Sequence, residues 1–313
     1  MAISMKNDKK NCDNDKSVCF KLGAMWKNFA VNARKGFKFR TIDLALMGIF
    51  LGLQIIVVFF GKYTFFRNFN IRSEFLFYIL FGAVFGFYKG AVLSILSDTL
   101  IQLIISGIGT WFWMYAIMPP LISITSSLFV YLFFLNKKKD SIWTFVTRIA
   151  FSLLIFVGTL VALFFVYFTR INEDNSFKFT SKISVSQGIV ITFLVAYILT
   201  AFSVYTWTIY NYIKKRQQKI LDYLLVFTLV IFILAIFRWI LDSIAYINFY
   251  NWLNKGTTGK LKTYGKDFTI TATGIIAKSI LTLPVYVLVL VPVYRITSRL
   301  KDQYMVKNVA IKY

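Results

Sequence analysis

The chain contains no histidine among its 313 residues, and its two cysteines, Cys12 and Cys19, lie in a polar N-terminal stretch. Without histidine, a Ser-His-Asp or Cys-His catalytic site, histidine-ligated haem and the usual zinc sites are excluded. The sequence also has no Walker A motif, no aspartate-rich metal motif and no arginine-rich voltage sensor, and it has no inverted repeat typical of secondary transporters. We therefore predict no enzyme activity, no ATP hydrolysis by this chain, no metal and no cofactor.

Charged residues are scarce, at 16% of the chain, whereas 58% of the residues are hydrophobic and the mean hydropathy is +0.66. Apolar runs of about 18 or more residues, separated by short basic stretches, are typical of proteins with several transmembrane helices. The net charge of +23 could indicate nucleic-acid binding, but the basic residues flank the apolar runs, as topology signals do. The sequence predicts an all-α polytopic membrane helix bundle that lies in the lipid bilayer and does not bind nucleic acid.

Eight apolar runs are candidate spans: 42–60, 73–88, 90–107, 115–135, 147–169, 187–213, 220–247 and 269–294. The second run is short, which favours a tilted or shielded helix. Eight spans place both termini on one side, and the loops on that side carry roughly twice as many lysines and arginines as the opposite loops. We therefore expect a multi-pass protein of the cell membrane with both termini in the cytoplasm.

Ionised side chains inside a span cost several kcal/mol unless they are paired or hydrated. Asp98, Asp242 and Lys278 lie within predicted spans, and Arg238 stands four residues before Asp242. That spacing is typical of a local ion pair on a helix. For Asp98 and Lys278, a polar cavity is favoured over structural pairing.

Two stripes of small residues follow a spacing of three or four residues within the spans. The first comprises Gly82, Gly86 and Gly90, with a turn expected around Lys89; the second, in the first span, comprises Ala45, Gly48 and Gly52. Small residues allow membrane helices to approach each other closely. Both stripes therefore predict close helix contacts.

Three aromatic residues, Trp111, Trp113 and Tyr115, lie in an uncharged stretch between the third and fourth spans, on the outer side of the predicted topology. Aromatic side chains at this level are usually anchors at the membrane surface. They could equally form a lid over a flat, aromatic ligand, and the sequence leaves both possibilities open.

The stretch "NIRSEFLFYILFGAVFGFYKGAVLSILSDTL" resembles the second and third helices of S components of energy-coupling factor (ECF) vitamin transporters. Its Ile71-Arg72-x-x-Phe75 entry is most similar to the folate-type members. The segments "MPPLISITSSLFVYLFF" and "YGKDFTITATGIIAKSILTLPVYVLVLVPVYRI" are similar to the fourth and sixth helices of the family. The resemblance covers about 40–135 and 220–300, and two further spans, about 147–213, are inserted into the six-helix pattern of the family.

The resemblance implies five segments. They are a basic cytoplasmic tail at 1–40, partly disordered or an interfacial helix; S-component helices 1–4 at 41–136; an inserted helix pair at 137–219; helices 5–6 at 220–297; and a second basic cytoplasmic tail at 298–313.

The resemblance also implies a function, namely capture of a vitamin, with folate as the expected ligand, from outside the cell. Such subunits then assemble with a transmembrane coupling subunit and two ATPase subunits, which form an ABC-type importer. The candidate ligand-binding residues are Arg72, Glu74, Asp98, Trp111, Trp113, Tyr115, Asn248 and Lys278, and the candidate docking residues are Ala45, Gly48 and Gly52. Riboflavin or another vitamin as the ligand, and a secondary transporter or channel of another family, remain the alternatives.

Overall fold

The chain folds into a bundle of long apolar helices, seen in a computed structural model. The structure describes residues 39, 41–63, 72–105, 107, 111–134, 142–170, 176–178, 184–215, 221–255 and 261–310. The helices are α1 (Thr41–Tyr63), α2 (Glu74–Phe85), α3 (Phe87–Ile105), α4 (Trp113–Phe134), α5 (Ile142–Arg170), α6 (Gln187–Lys215), α7 (Leu221–Ile233), α8 (Asp242–Leu253) and α9 (Lys266–Ala310). A π-helical segment, Leu234–Leu241, joins α7 to α8, and two short antiparallel strands, β1 (Ser176–Lys178) and β2 (Ser184–Ser186), lie between α5 and α6.

Six helical segments among the described residues are long and apolar enough to cross a membrane. They are α1, α3, α4, α5, α6 and the continuous segment Leu221–Leu253 formed by α7, the π-helical segment and α8. The two halves of α9 provide a seventh when they are counted as one bent span. The predicted polytopic helical bundle is thus confirmed. The second predicted run, 73–88, covers α2 and the first residues of α3, and the number of eight spans stays a prediction.

The centre of the bundle is formed by α2 and by the segment that contains α7. Both helices are apolar on every side, which is the pattern of a helix surrounded by protein. In α2, the residues from Phe75 to Gly82 are all buried, and 72% of the most apolar part of Leu221–Leu253 is buried. The short second span is therefore shielded by its neighbours α3, α4 and α9.

Two glycines allow the close approach of α4 to α2 and α3. A Cβ atom added at Gly82 would lie 1.9 Å from the backbone oxygen of Ser123 in α4. A Cβ atom at Gly90 would lie 2.5 Å from the hydroxyl of Ser123 and 2.6 Å from the backbone oxygen of Phe81. No side chain larger than hydrogen fits at either position without a shift of backbone, so these glycines are packing residues.

The boundary between α2 and α3 lies at Gly86, three residues before the turn expected around Lys89. Gly86 has a φ angle of +84°, a conformation that glycine adopts at no steric cost. Lys89 lies inside α3, where it is buried and forms an ion pair with Asp43 of α1. This ion pair ties the beginning of α1 to the beginning of α3.

The long helix α9 bends by 49° between Asp267–Ile280 and Thr282–Thr297. Pro284 explains the bend, because its ring has no N–H and clashes with the carbonyl group four residues earlier, at Ile280. Beyond the bend the helix continues to Ala310, through most of the segment predicted as a C-terminal tail. The predicted N-terminal tail, by contrast, lies almost wholly outside the described residues.

The inserted helices α5 and α6 each pack one face against the bundle and expose the other. Buried hydroxyl groups link them to each other and to α7. Ser152 lies 2.7 Å from the Tyr205 hydroxyl and 2.6 Å from the Thr228 hydroxyl, and Thr159 lies 2.9 Å from the Tyr197 hydroxyl. Their outer faces are apolar and exposed, as a lipid-facing surface requires. The pair therefore lies on the outside of the bundle.

Candidate functional site

A group of charged and tyrosine side chains lies where α2, α3, α8 and α9 meet. We call it the Arg72 cluster, and its members are Arg72, Glu74, Tyr78, Asp98, Arg238, Asp242 and Tyr286. Tyr78, Arg238, Asp242 and Tyr286 are buried, whereas Glu74 and Asp98 are half-buried and Arg72 is exposed. The cluster is the strongest candidate for a functional site because polar groups at such depth are costly unless they have a role.

Arg72 immediately precedes α2 and connects that helix to α8. Its Nη1 atom donates a hydrogen bond of 2.9 Å to Oδ1 of Asp242, whose side chain is only 3% exposed. The Arg72 side chain remains 43% exposed, so one end of the ion pair is buried and the other is accessible. Loss of hydration would lower the pKa of the Arg72 guanidinium, but the negative charges of Asp242 and Glu74 outweigh this effect and raise it above its usual range.

A second arginine, Arg238, lies beneath this pair in the π-helical segment. Its Nη1 atom donates a 3.1 Å hydrogen bond to the Tyr286 hydroxyl, which in turn donates a 2.6 Å bond to the backbone oxygen of Arg72. The Arg238 guanidinium also lies 5.6 Å from the ring centroid of Phe75, within the range of a cation–π interaction. Tyr286 therefore connects α9 to both arginines, and π-helical turns of this kind are frequent at functional sites.

Two further carboxylates complete the cluster. The Tyr78 hydroxyl donates a 2.9 Å hydrogen bond to Oδ1 of Asp98, which joins α2 to α3. Glu74, in the first turn of α2, is close enough to interact electrostatically with both Arg72 and Asp98. The cluster thus contains three carboxylates and two guanidinium groups and offers both donors and acceptors to a ligand.

Aromatic residues from α4 and α8 lie beside the cluster. Phe112 is buried and its ring centroid lies 5.6 Å from that of Phe249 and 5.8 Å from that of Trp252. Tyr115 packs against Phe249 at 5.9 Å and its hydroxyl interacts with Arg72. Tyr115 is therefore the residue that joins the aromatic group to the Arg72 cluster.

Two of the predicted aromatic residues lie at the exposed edge of this packing, where the ring centroid of Trp113 lies 6.1 Å from that of Phe112. Trp111 and Trp113 are 49% and 55% exposed, and Trp113 begins α4 instead of lying in a loop. Their positions suit anchors at the membrane surface and a movable lid alike. Phe112, which is buried, was not among the predicted aromatic site residues of this stretch.

Asn248 of α8 is held by two neighbouring segments. Its Nδ2 atom lies 3.1 Å from the sulfur of Met114, and its Oδ1 atom accepts a hydrogen bond from the Tyr264 hydroxyl. One turn further along α8, the amide of Asn251 bonds both backbone groups of Lys262, at 2.8 and 2.9 Å. These contacts fasten the segment before α9 across the end of the bundle.

The remaining predicted residues lie elsewhere. Lys278 is exposed on α9, and no contact among the described residues joins it to the Arg72 cluster. On α1, Ala45 and Gly48 are exposed and Gly52 is half-buried, and a Cβ atom at either glycine would meet nothing within 4 Å. This stripe therefore faces away from the bundle, unlike the stripe at Gly82 and Gly90.

The comparisons with known proteins add no relative. No family model matches the chain, and neither the curated proteins nor the solved structures give a match. The features that bear on function are therefore the Arg72 cluster, the outward stripe of α1 and the motifs in the sequence.

Proposed function

We propose that this protein is the substrate-capturing S component of an ECF-type importer of a vitamin. The observation that carries the proposal is the Arg72 cluster, a set of charged groups enclosed by membrane helices with aromatic side chains at its edge. Ligand sites in membrane transporters combine these two properties, because polar groups orient the ligand and aromatic surfaces hold its planar rings. The sequence resemblance to S components starts at the residue that anchors the cluster, Arg72.

In this proposal the protein lies in the cell membrane with both termini in the cytoplasm, and the ligand enters from outside. The ends of α2, α4 and α8 that hold Arg72, Tyr115 and Asn248 then face the outside. The small residues of α1 serve as the contact for the coupling subunit, which brings two ATPase subunits to the complex. The open space around Gly48 and Gly52 supports this part of the proposal, because a partner helix can approach there.

Folate is the proposed ligand. Its pteridine ring carries amino and N–H groups, which can donate hydrogen bonds to carboxylates such as those of Glu74 and Asp98. Its glutamate tail carries carboxylates that Arg72 can bind. Of the two cations predicted to bind the ligand, Arg72 and Lys278, Arg72 lies in the cluster. Charge-assisted hydrogen bonds of this kind contribute roughly 1.5–3 kcal/mol each. Riboflavin, whose ring system is also planar but uncharged, would depend on the aromatic residues and hardly on cations.

Binding measurements with purified protein, run with folate and riboflavin side by side, separate these ligands. Because Arg72→Gln alone leaves the buried carboxylate of Asp242 unpaired, the informative variant combines Arg72→Gln with Asp242→Asn. This double variant should bind folate about ten to a hundred times more weakly, since each factor of ten corresponds to about 1.4 kcal/mol. Trp113→Ala should weaken binding of both ligands if this side chain covers a planar ring.

Lys278→Met serves as the control for charge outside the cluster. Because Lys278 is exposed and distant from the other groups, its removal should change folate affinity far less than the loss of Arg72. If the protein binds riboflavin but not folate, and neither charge variant changes the affinity, folate is excluded as the ligand. The protein would then be an S component of another specificity. Binding of neither ligand would reject both assignments.

A further inference from the structure

A groove opens on the outside of the bundle where α9 bends away from α6. Before the bend, Thr273, Ile276 and Ile280 of α9 pack closely against α5 and α6, with a residual cleft of about 50 Å³. After the bend, two adjoining grooves of about 490 and 290 Å³ share Tyr223 and Val287. The half of α9 beyond the bend at Pro284 therefore lies along two grooves that adjoin at Tyr223 and Val287.

The walls of this groove are apolar along most of its length. Trp207 of α6 forms one wall, and Val287, Leu288 and Val291 of α9 form the other. Trp207 packs edge-on against the ring of Tyr223, which lines both grooves, with 4.6 Å between the ring centroids. Hydrocarbon chains fit such a surface, whereas polar ligands gain nothing from it.

One end of the groove is cationic. Arg295 stacks on Tyr223 at 4.0 Å from the ring centroid, donates a 2.7 Å hydrogen bond to the Tyr223 hydroxyl and lies 3.7 Å from Asp222. Arg299, one helical turn further along α9, also lines the groove and is exposed. The two guanidinium groups lie where α6 ends and α7 begins, which is the level at which a spanning bundle meets the membrane surface.

We propose that this groove binds one anionic phospholipid. Its acyl chains lie between α6 and α9, and its phosphate contacts Arg295 and Arg299. Arginine forms bidentate hydrogen bonds with phosphate, and among the side chains that the structure describes at this end of the groove the two positive charges outnumber the carboxylate of Asp222. A net negative headgroup is therefore favoured over a zwitterionic one. The site is distinct from the Arg72 cluster and does not depend on which solute the protein binds.

The test is native mass spectrometry of the detergent-solubilised protein titrated with phosphatidylglycerol and with phosphatidylcholine of identical acyl chains. The wild-type protein should bind the first phosphatidylglycerol about tenfold or more tightly than the first phosphatidylcholine. Arg299→Gln should reduce this preference, and Arg295→Gln combined with Arg299→Gln should remove it. Since Arg295 also supports Tyr223 and Asp222, the exposed Arg299 provides the variant that leaves the fold intact.

Two further variants distinguish the groove from general surface charge. Lys214→Gln removes a cation that lies near the same end of α6 but does not line the groove, so the preference for phosphatidylglycerol should persist. Val287→Trp fills the junction of the two grooves and keeps both arginines, so it should weaken the first binding event for both lipids. Equal affinity of the wild-type protein for the two lipids, or an equal loss of preference in Lys214→Gln and Arg299→Gln, would overturn the proposal.

Discussion

Arg72 and Asp242 are 170 positions apart in the chain, and their ion pair shows what sequence reasoning at the residue scale misses. The sequence marks both as charges in apolar surroundings, and it pairs Asp242 with Arg238 because the two are four residues apart. In the structure the partner of Asp242 is Arg72, just before α2, while Arg238 in the π-helical segment bonds Tyr286. A local spacing rule assumes α-helical geometry, and a π-helical turn alters that geometry.

Glycines at similar spacing also have different roles, which leads to a prediction at this scale. Gly82→Ala should lower the thermal unfolding midpoint in detergent strongly, because its Cβ atom would overlap the backbone of α4 and overpacking typically costs about 1–3 kcal/mol. Gly48→Ala is the matched control and should leave the midpoint unchanged or raise it slightly, since Ala is favoured in a helix by about 0.5–1 kcal/mol. Equal midpoints for the two variants would contradict the close packing at Gly82.

The helices themselves are largely predictable, because apolar length and shielding appear directly in the sequence. The predicted run 187–213 corresponds to α6 (Gln187–Lys215), and 42–60 corresponds to α1 (Thr41–Tyr63). The end of α2 is less predictable, because any of three glycines in the sequence could form the turn after it. In the structure the turn lies at Gly86, which has the positive φ angle. The bend in α9 can be expected from Pro284 in the sequence. The groove beside the bend cannot, because it depends on the position of α6.

The prediction at the element scale concerns α1. Its outward face carries the small residues and exposed apolar side chains, and only 17% of its most apolar part is buried in the bundle. Gly52→Leu should prevent assembly with the coupling subunit, because leucine excludes a closely approaching helix, while ligand affinity stays nearly unchanged. Assembly is measured by pull-down from membranes and ligand affinity by calorimetry.

Gly158→Leu is the matched control for that experiment. A Cβ atom added at Gly158, as at Gly52, would meet nothing within 4 Å, but Gly158 is exposed and lies on α5 in the inserted pair. It should leave both assembly and binding intact. Equal loss of binding and assembly in Gly52→Leu would indicate that this glycine supports the bundle instead of a partner contact.

For the whole molecule, composition and hydropathy were enough to predict a polytopic helical bundle, but not the arrangement of its helices. The sequence favours a polar cavity for both Asp98 and Lys278; in the structure Asp98 accepts a hydrogen bond from Tyr78, and Lys278 is exposed on α9. Helix rotation decides which residues share a cavity, and rotation is set by packing between distant segments such as α2 and α9. A site assembled from several helices is therefore harder to predict than the helices that build it.

The most direct test of the proposed function is the subunit composition of the complex purified through this chain from its native membranes. The S-component proposal predicts that one transmembrane coupling subunit and two ATPase subunits copurify with it, and that the vitamin stays bound to the purified chain. Mass spectrometry identifies both the proteins and the small molecule. A chain that purifies without ATPase subunits and transports its substrate alone in proteoliposomes, driven by an ion gradient, would contradict the proposal.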